Sequence, residues 1–181
     1  MTDMSIEVKE ILTGVVIGLV IDILLVTKAV FGAPVDEPEK YLEENDIEIT
    51  DEVSFWSQYY GRKYNICPET IEAICWVESR CIPSAQSPDK SCKGLMQIKP
   101  SCHTERMIRL DARNVFDPAN NIKIGTDYLA ELMEDEDIAT ALTIYNGQSQ
   151  KKIEAARRGE YSKYVTKILK ISDALERAHN K

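Results

Sequence analysis

At 181 residues, with 44% hydrophobic content and a net charge of −8, the chain is long enough for one sizeable core and too apolar to be a disordered polyelectrolyte. The charge is uneven: residues 32–52 hold nine acids against one base, whereas residues 53–181 sum to +2 and their last part, 149–181, has nine bases against four acids. That basic tail suits an anionic polymer or simply a solvated lysine-rich face, but it lacks the interleaved aromatics of a nucleic-acid groove, so no nucleic-acid partner is expected.

In chain order, residues 11–31 form an apolar run interrupted only by Asp22 and Lys28, long enough for the ~20 residues of a bilayer-crossing helix. The first ten residues hold Asp3, Glu7 and Glu10 against Lys9, unlike the basic start of a cleaved leader. An uncleaved membrane anchor over 1–31 is the expectation, and secretion after cleavage at Thr27-Lys28-Ala29 is the alternative. Residues 32–52 open with Gly-Ala-Pro and concentrate acids without periodic apolar positions, which predicts an extended acidic linker.

From Asp51 the pattern changes to helical. Val53, Trp56, Tyr60 and Tyr64 share one face up to Asn65, a core stripe or an aromatic sugar-facing one. Pro68 suits a first helical turn, and Ile71, Ile74, Cys75 and Glu78 follow at i, i+3, i+4 and i+7. Glu78 therefore sits on an apolar stripe in the last turn of a helix ended by Ser79, Pro83 and Pro88. Burial and the helix C-terminus both disfavour its charge, the tuning a general acid needs. Residues 80–93 read as loop. After Gly94, Leu95, Gln97 and Lys99 alternate with Met96 and Ile98, which predicts a short strand with Gln97 pointing into a cleft.

Residues 104–113 read as a charged surface helix or loop. Asp117-Pro118 is an N-cap with proline behind it, opening a helix whose face includes Ile122, Gly125, Leu129 and Leu132. Gly125 on that face predicts a close contact with another helix. Glu134-Asp135-Glu136-Asp137 lacks the spacing of a calcium loop and ends in an N-cap, Asp137. Ile138, Leu142 and Tyr145 form the next apolar face, with the Tyr145 hydroxyl at the helix end. Ile153, Tyr161, Val165, Ile168 and Leu175 predict one or two closing helices.

The ordered set Glu78-Ser79, Gly94-Leu95-Met96-Gln97-Ile98 with Pro100, Asn114-Val115-Phe116-Asp117-Pro118, Asn121-Ile122, Gly125, Tyr128-Leu129, Ala141-Leu142 and Tyr145-Asn146-Gly147 resembles the SLT-type lytic transglycosylases of the lysozyme-like superfamily. The resemblance covers roughly residues 53–170, within a catalytic domain expected over 53–181. It departs from the family in three places: Arg80 stands where glycine is usual, the loop before Gly94 is one residue longer, and Tyr145-Asn146-Gly147 has no alanine before its glycine. It implies a mainly α, α+β lysozyme-like fold with a small β element beside the catalytic helix. It also implies Glu78 as the single catalytic acid/base, with Ser79, Gly94, Met96, Gln97, Tyr145 and Asn146 contacting substrate and no metal or cofactor. The substrate would be a peptidoglycan glycan strand, cut at the β-1,4 bond to N-acetylmuramic acid with closure of a 1,6-anhydro ring.

The residues themselves leave alternatives. Glycosidases that use water or a protein nucleophile need a second carboxylate, and Asp89 is the only other one near the motif. A lysozyme-like hydrolase of the g type and an inactive peptidoglycan-binding module remain open, as does service to a secretion, conjugation or phage apparatus. Peptidoglycan places the catalytic domain outside the cytoplasm. Five cysteines leave one thiol over, expected to be the buried Cys75. Of the pairings possible among the rest, Cys67–Cys92 with Cys81–Cys102 is favoured over Cys81–Cys92.

Overall fold

A helix that is apolar on nearly every side must be surrounded, and the segment from Pro68 is that helix. In the computed structural model, residues 36–180 are described, and 11–31 lie outside them. The described residues form eight α-helices: α1 Pro38–Glu44, α2 Asp51–Tyr64, α3 Pro68–Ser79, α4 Thr104–Arg109, α5 Pro118–Leu132, α6 Ile138–Tyr145, α7 Gln150–Arg157 and α8 Lys163–His179. Ile71, Ala73, Ile74 and Cys75 of α3 are fully buried. Helices α2 and α8 pack against α3, and burying each isoleucine contributes about 1.5–3 kcal/mol. Thr70 Oγ1 lies 2.9 Å from Ser172 Oγ, a polar tie between α3 and α8 inside this packing.

The caps fall where the sequence places them. Asp117 accepts from the Asn120 N–H at 2.9 Å, and Asp137 accepts from Ala139 N–H at 2.9 Å and Thr140 N–H at 3.1 Å. On α2, Val53 and Tyr60 are buried while Trp56 and Tyr64 pack partly against the core, so the aromatic stripe is core. Gly125 makes its close contact with Met96 rather than with another helix: a Cβ there would meet the Met96 Sδ at 2.4 Å.

Four expectations are corrected or refined. The acidic stretch contains α1, which packs on α8, with Tyr41, Leu42 and Ile49 against the core and Ile47 buried. Four apolar side chains are enough to dock a segment whose acids face water. Asp36 and Pro38 line one crevice together with Asp173, Glu176, Arg177 and Asn180, so the first and last described residues are neighbours. Residues 104–113 do contain the expected charged surface helix, α4, but its arginines tie it into the fold. Arg106 is nearly buried and donates from Nε to Asp127 Oδ2 at 2.8 Å, Arg109 donates to the same oxygen at 2.6 Å, and the Tyr64 hydroxyl donates to Asp127 Oδ1 at 3.0 Å. Burial alone would raise the Asp127 pKa, but these donors hold it below the usual aspartate value.

The third correction concerns the strand after Gly94. Among the described residues the β structure amounts to two isolated bridges, Gln86 with Lys93 and Lys93 with Ile98. Residues 94–97 form a turn, in which consecutive Leu95 and Met96 are both fully buried. A strand would have sent one of them to the other face. The fourth concerns cysteines. All five are free thiols, so neither Cys67–Cys92 nor Cys81–Cys102 forms. Cys67 precedes α3, whereas the Gly94 turn sits at its far end, bonded to Ser79. Twelve residues of helix separate those ends by ~18 Å, against a Cα separation of at most ~7 Å for a disulfide. Cys75 is the buried core thiol expected. Among the described residues no helix is long and apolar enough to cross a membrane.

Candidate active site

Glu78 is the penultimate residue of α3, and Arg80 behind it takes the left-handed conformation (φ 56°) that ends the helix. The carboxylate is half-buried, and the Tyr164 hydroxyl donates to its Oε1 at 2.5 Å. Burial raises the Glu78 pKa above the ordinary glutamate value, and the Tyr164 bond opposes that rise without cancelling it. The Tyr164 phenol in turn bonds the Asn146 side chain, and burial beside the Glu78 charge keeps it protonated. Glu78 thus holds a proton more readily than a free glutamate while a donor waits to stabilise its anion.

The Gly94 turn forms the adjoining wall. Ser79 Oγ lies within bonding distance of Cys75 O (2.9 Å) and Leu95 O (2.8 Å), which ties the end of α3 to the turn. Asn121, from α5, accepts the Met96 N–H at 2.7 Å and donates to Lys93 O at 2.9 Å and Val115 O at 2.6 Å. Gly94 has φ 77° and passes so close to Asn121 that a Cβ would lie 2.2 Å from its amide nitrogen. The Tyr145 hydroxyl donates to Met96 O at 2.9 Å. It does not bond Glu78, but its pKa is pushed well up, first by burial and then by the Glu78 charge, so the two are close.

Of the expected site residues, the structure brings Glu78, Ser79, Gly94, Met96, Tyr145 and Asn146 to one place. Gln97 is near but does not point into a cleft. At φ 47° its amide folds back to donate to Gly94 O at 2.9 Å and Ala85 O at 3.4 Å, so it braces the turn. Asp89 is committed elsewhere. Its exposed carboxylate accepts from Ser87 Oγ at 2.5 Å and from the Ser91 N–H at 3.2 Å, and these bonds hold its pKa at about 2. Sequence reasoning missed Tyr164, although Tyr164, Ile168, Ile171 and Leu175 share a helical stripe that could have flagged it. It also missed a half-exposed aromatic row beside Tyr145: the Tyr128 ring lies 5.4 Å from Tyr145, and the His103 ring 4.8 Å from Tyr128.

The match to the transglycosylase SLT domain spans residues 55–166, more than half the chain, and includes every residue of this cluster. The chain belongs to that family. A membrane-bound lytic murein transglycosylase E from Buchnera aphidicola subsp. Acyrthosiphon pisum (strain APS) is 36% identical over 81 residues, which is 41% of this chain and 36% of the relative. The chain therefore spans about a third of that relative's length.

One consequence for this SLT domain arises from the Tyr164 bond. It favours the Glu78 anion, so Tyr164→Phe moves the Glu78 pKa further up. For a reaction in which Glu78 is the acid, the alkaline limb of the pH–rate profile should shift upward, because Glu78 stays protonated to higher pH. Turnover at the optimum should fall about tenfold, the equivalent of one hydrogen bond to a charged group. A downward shift of the limb would contradict the role of Tyr164 as donor.

Proposed function

We propose that this SLT domain is a peptidoglycan lytic transglycosylase that cleaves the β-1,4 bond between N-acetylmuramic acid and N-acetylglucosamine. The observation that carries the reading is the chemistry around Glu78: one carboxyl with a raised pKa whose neighbours are the phenols Tyr164 and Tyr145, with Asp89 occupied in its own loop. The protonated Glu78 gives its proton to the glycosidic oxygen as the bond to the muramoyl C1 breaks. The resulting carboxylate, stabilised by Tyr164, takes the proton of the muramoyl 6-hydroxyl as that oxygen closes on C1. Glu78 ends as it began, and no water is consumed.

The remaining residues have supporting roles in this proposal. Ser79, Gly94, Met96 and Gln97 build and brace the buried turn that walls the site, Tyr145 fixes the Met96 carbonyl, and Asn146 orients Tyr164. The half-exposed row of Tyr145, Tyr128 and His103 offers apolar ring faces to successive sugars. Mass analysis of the products from purified cell wall tests the reading. Ends lighter by one water than reducing muramic ends are expected, and reducing ends would make the domain a hydrolase. The apolar run 11–31, and a relative named as membrane-bound, support a membrane-tethered domain facing the wall. The full chain should then sediment with membranes at alkaline pH, and full recovery in the supernatant would reject the tether.

A further inference from the structure

The aromatic row beside Glu78 ends in a histidine whose tautomer is fixed by its neighbour. The row starts at the acid: the Tyr145 hydroxyl bonds Met96 O in the turn that Ser79 holds through Leu95 O, and the Glu78 charge acts on the Tyr145 phenol after burial. The Tyr128 ring follows at 5.4 Å and the His103 ring 4.8 Å beyond it, and all three residues are partly exposed. The two tyrosine rings lie within 33° of each other, whereas the His103 ring is turned by 59° from Tyr128, so the imidazole brings an edge to the end of the row.

Arg106 decides what that edge carries. Its Nη1 lies 2.7 Å from His103 Nδ1. A guanidinium has only donors, so Nδ1 accepts and the proton of the neutral ring is on Nε2. The same guanidinium lies over the Tyr128 ring, with Cζ 4.8 Å from the centroid, and donates to Asp127 Oδ2 and Glu131 Oε2. Nearly buried and bonded on three sides, Arg106 holds the imidazole and the phenol in fixed relation. Burial, and after it the Arg106 charge, push the His103 pKa below its ordinary 6.5 against the opposing pull of Glu131, so the ring is neutral at neutral pH. Nε2 lies across the ring from this clamp. Among the described residues it bonds none, and it is not one of the buried polar atoms left without a partner. The clamp therefore leaves one oriented donor at the surface of the row.

Resting on the activity proposed above, we propose that His103 is a specificity-determining residue that donates from Nε2 to the N-acetyl carbonyl of the sugar lying beyond Tyr128 along the strand. Both sugars of the strand carry a 2-acetamido group. Its carbonyl oxygen only accepts, which matches a nitrogen that in this tautomer only donates. Sugar hydroxyls do both and discriminate less. Because both sugars carry the group, the contact selects N-acetylated over N-deacetylated strands rather than one sugar over the other. Arg106 acts through His103 and is a positioning residue.

The test separates this contact from the reaction itself. Glu78→Gln protein is titrated with soluble peptidoglycan glycan strands, fully N-acetylated or chemically N-deacetylated, and three substitutions are added to it one at a time. His103→Phe keeps a ring at the end of the row but no donor, so it should bind N-acetylated strands about fivefold more weakly and deacetylated strands as the parent does. His103→Gln keeps an acceptor for Arg106 and a donor, and should bind both forms within twofold of the parent. His103→Glu keeps the Arg106 bond without a donor and should repeat the His103→Phe result, which makes the outcome independent of whether the phenylalanine is tolerated. With Glu78 intact, His103→Glu should raise KM on N-acetylated strands about fivefold with kcat within twofold. A loss that is the same on both strand forms, no loss on either, or a loss in His103→Gln as large as in His103→Glu overturns the proposal, as does a parent that binds neither form. An N-acetyl contrast that depends on His103, with no 1,6-anhydro ends formed by the native protein, would overturn the reaction and leave the contact standing.

Discussion

Glu78→Gln yields a folded domain that releases no 1,6-anhydromuramoyl ends above background. The amide fills the same space and can still accept from Tyr164, but it has no proton to transfer. Losing the group proposed as both acid and base should cost at least about 10³-fold in turnover. The variant should also be more stable than the native protein at neutral pH. Burial raises the folded-state pKa of Glu78 above 4.5, so the native protein has the full contribution of this group below that value and loses it as pH rises through the folded pKa. Glutamine has no such loss, so the gap in melting temperature should open from pH 4.5 upward. Asp89→Asn should change turnover by less than about twofold, because its loop position gives it no part in the chemistry. Turnover by Glu78→Gln within tenfold of native would reject the mechanism.

Gly94→Ala is expected to be the most destabilising single methyl in the domain. The new Cβ would lie 2.2 Å from the Asn121 amide nitrogen and 2.5 Å from Val115 O, on a backbone with φ 77°. Asn121 cannot yield, because it is 1% exposed and bonds Met96 N, Lys93 O and Val115 O. Relief of the clash breaks some of those bonds and leaves buried polar groups unpaired. Together with the backbone strain, the cost should reach about 3–5 kcal/mol, or a fall of roughly 10 °C in melting temperature. Turnover should fall more than the unfolded fraction explains, since Tyr145 depends on the same turn through Met96 O. Gly147→Ala provides the comparison: φ is 68°, but a Cβ there meets nothing within 4 Å, so only the backbone cost of about 1 kcal/mol applies. Equal losses for the two variants would mean that the contact with Asn121 is not what the turn depends on.

What could be read from the chain was local. Pro68, Asp117-Pro118 and Asp137 mark helix starts because a cap is decided within four residues, and the phase of Glu78 against Ile71, Ile74 and Cys75 is a matter of helical pitch. The Gly94 segment misled because alternation over five residues fits a strand as well as a turn whose Leu95 and Met96 are both inside. What decides between them is Asn121, a distant side chain that takes the turn's backbone bonds. The acidic stretch misled because nine charges outweighed Tyr41, Leu42, Ile47 and Ile49, which become meaningful only against the surface of α8. Tyr164 and Glu78 lie 86 residues apart, and no periodicity says which buried acid a phenol will reach. The cysteine pairing failed for a related reason: proximity to the same helix in sequence was read as proximity in space, when Cys67 and Cys92 belong to its opposite ends.

The crevice shared by Asp36, Pro38, Asp173, Glu176, Arg177 and Asn180 gives the described unit the topology of a ring with a narrow gap. A short flexible bridge across that gap would close the ring, and a new opening could then be cut at Gly159, an exposed turn with φ 84° and open space around it. In such a permutant α8 would be made first, carrying Tyr164, and would receive α3 with Glu78 afterwards. The two halves of the proton-handling pair would exchange their order of synthesis while keeping their positions in space, so the site is a property of the closed circuit of helices rather than of the point at which the chain enters it.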